Sequence, residues 1–139
     1  MDQSMCGKLP LIAIVDDEPV MRKALEILVE SMGHTAAVFA SAEAYLRSGL
    51  VRSTFCLISD IQMPGMSGLD LQQRLLADGH RVPIIFVTAS CDEKIRARAL
   101  QAGAICFLTK PFEAKALVRC IDETSIASAH TAMWNETSE

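Results

Sequence analysis

Four short apolar runs, each stopping at a residue with usable chemistry, constrain this chain more than any other feature. Leu11-Ile12-Ala13-Ile14-Val15 runs into Asp16-Asp17, and Phe55-Cys56-Leu57-Ile58-Ser59 runs into Asp60. Ile84-Ile85-Phe86-Val87 runs into Thr88, and Ile105-Cys106-Phe107-Leu108-Thr109 runs into Lys110. Runs this short and this rich in β-branched residues, set between helical patterns, read as strands of a parallel sheet buried on both faces. Sites in such sheets form just beyond the carboxyl ends of the strands. Three carboxylates, a hydroxyl and an ammonium should therefore converge on one rim, an arrangement suited to magnesium-assisted handling of a phosphoryl group.

Strand and helix patterns alternate five times, which argues for an α/β doubly wound fold with a five-stranded parallel sheet and five helices. Pro19 falls where the first turn of a helix tolerates a missing N–H. Val20, Ala24, Leu25, Leu28 and Met32 keep helical spacing up to Gly33, which caps the helix. Thr35 to Ala40 is a second strand, and Ser41 N-caps a short helix that buries Ala42, Tyr45 and Leu46. After Asp60 comes the loop Ile61-Gln62-Met63-Pro64-Gly65-Met66. Ser67 and Asp70 then have the spacing of a capping box, opening a helix that closes near Gly79. A fourth helix covers about Asp92 to Ala102, and the last buries Leu117, Val118 and Ile121. These patterns divide the chain into an N-terminal extension (1–8), a domain (9–128) and a polar C-terminal tail (129–139).

The chain of 139 residues can bury a real core in one domain. Half of its residues are apolar and only 5% aromatic, so that core should be aliphatic. A net charge of −4, with Lys and Arg scattered, argues against direct binding of a nucleic-acid backbone by this segment. No apolar stretch reaches the roughly 20 residues of a membrane span, and there is no signal-peptide pattern. Five cysteines without a CxxC pair are expected to be reduced, structural thiols of a cytoplasmic protein.

Asp17 taken alone could N-cap the first helix, and Asp60 could open a turn. Together with Asp16 on one rim they repel one another, which raises the proton affinity of the cluster unless a cation joins them. Magnesium suits such a site, because it uses one or two carboxylates and keeps waters for phosphate oxygens. Thr88 at the rim can donate a hydrogen bond to an added phosphoryl oxygen. Lys110, ending an apolar strand before Pro111-Phe112, can bring a point charge to a carboxylate or phosphate.

Val15-Asp16-Asp17-Glu18, Asp60 with Met63-Pro64-Gly65-Met66-Ser67-Gly68, Thr88-Ala89 and Lys110-Pro111-Phe112 together resemble the motifs of receiver domains of two-component response regulators. The resemblance covers roughly Leu9 to Ser128 and is closest to receivers that precede a helix-turn-helix output domain. It implies a flavodoxin-like receiver fold in which Asp60 accepts a phosphoryl group from a phosphohistidine on a sensor histidine kinase. Asp17 and Asp60 would be direct magnesium ligands, Asp16 a ligand through water, and the Gln62 backbone carbonyl a further ligand. Thr88 and Lys110 would hold the phosphoryl oxygens, and Phe107 would repack with Thr88 as a switch. Partly from this resemblance, the Lys110–Pro111 peptide is expected to be cis. Phosphorylation is expected to act through the face of the fourth helix, fifth strand and fifth helix, promoting a homodimer and serving transcriptional output. Arg96 and Arg98 are surface anchors there or simply solvated charges.

The resemblance leaves open whether this is a natural single-domain receiver or the N-terminal half of a DNA-binding regulator. Gln62 and Ser90 stand at positions that vary in the family, which leaves the phosphoryl lifetime open. A hydrolase of the haloacid dehalogenase type also uses a strand-end Asp with magnesium. It wants a second Asp two residues on as general acid and base, where this chain has Gln62. A receiver kept only as an interaction module would be expected to lack some of the five motif positions, and all are filled.

Overall fold

The computed structural model describes residues 11–89 and 92–124. Five parallel strands form one sheet: β1 (Leu11–Val15), β2 (Thr35–Phe39), β3 (Thr54–Ser59), β4 (Ile84–Thr88) and β5 (Cys106–Thr109). Their spatial order is β2-β1-β3-β4-β5, all neighbours pairing parallel. The connecting helices are α1 (Pro19–Ser31), α2 (Ala42–Arg47), α3 (Gly68–Ala77), α4 (Glu93–Gln101) and α5 over 114–124. Chain order reverses direction between β1 and β3, the switch point where the rim of such a sheet opens into a crevice.

The side-chain period of two sorts the strands' apolar residues into two cores. Ala13, Val15, Leu57, Ile84 and Phe86 face one way and pack with Ala42, Tyr45, Leu71, Leu75 and Ala99 from α2, α3 and α4. Ile12, Ile14, Cys56, Ile58, Ile85 and Val87 face the other way, against Leu25, Val29, Leu117 and Ile121 from α1 and α5. The core is aliphatic, as the composition requires, with Phe86 and Tyr45 its large aromatic exceptions.

Local signals hold where they rest on hydrogen-bonding side chains. Ser41 accepts the Ala44 N–H, and Ser67 with Asp70 closes a complete capping box at α3. Pro19 opens α1, and Gly33 follows its end at φ +91°. One expectation changes, and one alternative falls away. Val20 is 80% exposed, because α1 lies on the sheet through Leu25 and Val29 and turns its first residues to solvent. Asp17 does not cap α1: Glu18 holds that position, and its N–H goes to Asp16 Oδ1 at 2.9 Å.

The cysteines also depart from expectation. Cys106 on β5 and Cys120 on α5 are joined in a disulfide, with their Cα atoms 6.1 Å apart. Both side chains belong to the α1/α5 side of the sheet, so the pairing follows from how α5 folds back and not from any spacing motif. Cys56 is a buried free thiol, as expected, whereas Cys6 and Cys91 lie outside the described residues. So do Ser90, the N-terminal extension and the C-terminal tail. Among the described residues no helix is long and apolar enough to cross a membrane.

Burial pushes the Cys56 thiol up to about 12, from an ordinary value of 9.0, against a weaker opposing contact with Thr124. Burial likewise raises Tyr45, whose hydroxyl donates to Thr54 Oγ1 at 2.8 Å. Both groups keep their protons longer folded than unfolded, so ionisation favours the unfolded chain. Urea titrations at a series of pH values should therefore show stability falling as pH rises from about 9 towards 12, the range in which the contribution of these two groups is lost. In the same range, iodoacetamide should reach Cys56 only after unfolding, read by peptide mapping.

Candidate functional site

The rim is built by hydrogen bonds that carry the sheet one residue past each strand. The Asp16 N–H donates to the Phe39 carbonyl of β2, the Asp60 N–H to Val15 of β1, and the Lys110 N–H to Thr88 of β4. Each of these three residues is thus registered by its neighbour strand, and not left on a free loop. Ser59 Oγ bonds the Asp60 carbonyl at 2.8 Å, adding a buried tie at the same point.

Asp16, Asp17 and Asp60 come together as expected: a carboxylate oxygen from each lies within 4.8 Å of the other two. Asp16 and Asp60 are buried and Asp17 is exposed. Asp60 Oδ1 accepts the N–H groups of Ile61 at 2.6 Å and Gln62 at 3.3 Å, which fixes the plane of its carboxylate. The Lys110 ammonium stands 3.2 Å from Asp16 Oδ2 and 3.2 Å from Asp60 Oδ2, with Glu18 Oε1 at 3.7 Å. The Lys110–Pro111 peptide is cis.

Burial raises the Asp16 carboxyl; the Glu18 N–H and Lys110 oppose it, while Asp60 adds repulsion. For Lys110, burial alone would lower the ammonium, but the charges of Asp16 and Asp60 and the hydrogen bonds to them outweigh it, and the net shift is upward. Lys110 is therefore a firmly charged partner for a site that still holds three carboxylates against it. An all-oxygen set with excess negative charge fits a hard divalent cation such as magnesium.

Thr88 is buried at the end of β4, on the side of the sheet that carries Phe86. Phe107 of β5 packs on Phe86 there, ring centroids 6.4 Å apart. Gln62 is exposed beside Asp60. Other contributors were not singled out from sequence. A Cβ at Gly68 would run into the Asp60 carbonyl oxygen, so α3 can approach the site only through glycine. Arg22 donates to the Asp16 carbonyl at 2.8 Å, and Glu43 accepts the Met66 N–H at 3.0 Å. Gly68 stood inside a quoted motif; nothing local marked Arg22 or Glu43.

Comparison with known proteins agrees with this geometry. The family model for the response regulator receiver domain matches residues 12–122. The response regulator protein TmoT of Ectopseudomonas mendocina is 41% identical over 119 residues, covering 86% of this chain and 54% of that protein. The transcriptional regulatory protein FixJ of Bradyrhizobium diazoefficiens is 35% identical over 125 residues, covering 90% and 60%. The chain thus spans little more than half the length of these curated relatives. Among solved structures, the response regulator StyR superposes with a TM-score of 0.83 at 38% identity, covering 94% of this chain and 66% of that one. FixJ-N follows with 0.74 at 32%, covering 83% and 92%.

Lys110 and Asp17 should separate in stability. Lys110→Met leaves two buried carboxylates without their cation and should cost about 3 kcal/mol. Asp17→Asn removes repulsion from an exposed position and should leave stability equal or higher. Urea denaturation in metal-free buffer compares the two.

Proposed function

The chain belongs to the response regulator receiver domain family, related to transcriptional regulators, and on that premise we propose that Asp60 accepts a phosphoryl group from a phosphohistidine of a sensor histidine kinase. The observation that supports this reading most directly is the placement of Lys110 at 3.2 Å from both Asp16 and Asp60, with Asp17 beside them. A carboxylate oxygen of Asp60 forms the new P–O bond as the P–N bond of the donor breaks, and the electron pair leaves with the imidazole, which takes up a proton. The two backbone N–H groups on Asp60 Oδ1 orient the nucleophile, so the chain contributes position more than covalent chemistry.

Magnesium held by Asp17, Asp60 and the Gln62 carbonyl, with Asp16 reached through water, would supply charge neutralisation at the transferring group. Lys110 would turn from Asp60 to a phosphoryl oxygen and Thr88 would donate to another. The same arrangement is read as assisting both phosphorylation and later hydrolysis of the acyl phosphate. The chain is read as cytoplasmic, the compartment of a kinase that draws its phosphoryl group from ATP.

The phosphoryl group brings roughly −1.5 to −2 charges to the rim. As Thr88 moves towards it, space opens for Phe107 to turn inward along Phe86. That change would alter the face of α4, β5 and α5, promote a homodimer and pass the signal to transcriptional output. Only contacts that differ between the two states can shift their populations, and Thr88 and Phe107 are the residues read as making them.

Acetyl phosphate with magnesium should add one phosphoryl group, seen as a mass shift that Asp60→Asn abolishes; efficient labelling of Asp60→Asn would overturn the assignment. Thr88→Ala should still label but fail to assemble when treated with beryllofluoride, measured by light scattering. A wild-type chain that stays monomeric with and without beryllofluoride would remove the dimer from the reading.

A further inference from the structure

Glu43 stands in the first turn of α2, two residues after the N-cap Ser41 and far in sequence from the acidic rim. Its carboxylate Oε2 nevertheless accepts the Met66 N–H at 3.0 Å, reaching across 23 residues to the loop between β3 and α3. The contact is close along the loop backbone: a Cβ at Gly65, where φ is +78°, would come 2.8 Å from that same oxygen. Among the described residues Glu43 forms no ion pair, so its charge is directed at the loop amide. A carboxylate accepting from a backbone N–H makes a stronger hydrogen bond than a neutral acceptor would.

We propose that Glu43 is a positioning residue for the magnesium and phosphoryl site, acting through the Met63–Ser67 segment; this rests on the functional reading above. The inner end of the loop is already fixed. Ile61 and Gln62 donate to Asp60, Gly68 donates to the Ile61 carbonyl at 2.8 Å, and Met63 is buried in the core. The outer turn, Pro64 to Met66, projects from that base, and Glu43 ties it to α2. Gln62, whose carbonyl is the loop's metal ligand in this reading, belongs to the inner anchor, and only Met63 separates it from the turn that Glu43 holds. Releasing the outer one lets the loop sample more conformations, which must be reordered each time the metal binds. Groups that hold a ligand from behind typically account for 10–100-fold in metal affinity.

The test uses the full chain, with magnesium chloride titrated by calorimetry and the Met66 amide followed by NMR. Glu43→Ala should weaken magnesium binding by about tenfold or more and move the Met66 amide proton upfield. Glu43→Gln keeps an acceptor oxygen at the same reach and should restore most of both. Gly65→Ala attacks the contact from the loop side, with added backbone strain at φ +78°, and should lose at least as much magnesium affinity as Glu43→Ala; wild-type affinity in Gly65→Ala also overturns the proposal. Wild-type affinity in Glu43→Ala, or a Glu43→Gln as weak as Glu43→Ala, overturns the proposal while leaving the function intact. A wild-type chain that takes up neither magnesium nor a phosphoryl group overturns the functional reading and this proposal with it.

Discussion

Two carboxylates on neighbouring strands, both buried, are held together here by one ammonium. Asp16 and Asp60 follow β1 and β3, which lie side by side, and burying two like charges together costs free energy unless a cation joins them. Lys110 stands between them at equal distance and supplies the compensating charge from the end of β5. The sheet order makes this possible only because all strands run parallel, so that their carboxyl ends, and hence these three residues, share one rim. One cation against three carboxylates leaves the rim electronegative, an excess that could hold a metal ion.

The scaffold around this cluster is mostly backbone. The amides of Asp16, Asp60 and Lys110 each take a carbonyl from the adjacent strand, so sheet register sets the positions of the side chains. Gly68 lets the start of α3 pack against the Asp60 carbonyl, and the capping box of Ser67 and Asp70 fixes where that helix begins. The loop between them is short, closed by the Gly68 to Ile61 hydrogen bond and held from outside by Glu43. Rigid supports of this kind suit chemistry in which position and charge do the catalysis.

The same geometry separates a receiver from the hydrolase alternative. A phosphatase of the haloacid dehalogenase type needs a proton-transferring carboxylate two residues beyond its nucleophile, and that place is taken by the amide of Gln62. The carboxylates that surround Asp60 come instead from the end of β1, where Asp16 pairs with Lys110 and the cluster could hold a metal ion. Phe107, tilted against Phe86 with ring centroids 6.4 Å apart, packs the β5 side of the sheet onto the core beside β4.

Periodicity and spacing by themselves determined the five strands and five helices, the doubly wound class, the convergence of Asp16, Asp17, Asp60 and Lys110, and the place of Thr88 at the end of β4. These follow from local rules: apolar runs define strands, capping side chains define helix starts, and parallel strands put their ends together. What the tertiary structure decided are matters of contact between segments distant in the chain. The Cys106–Cys120 bridge, the exposure of Val20 and the reach of Glu43 to Met66 belong here. None leaves a local signature, because each depends on how one helix is rotated and seated against the sheet. That rotation is set by the summed packing of two cores, not by the residues at the contact.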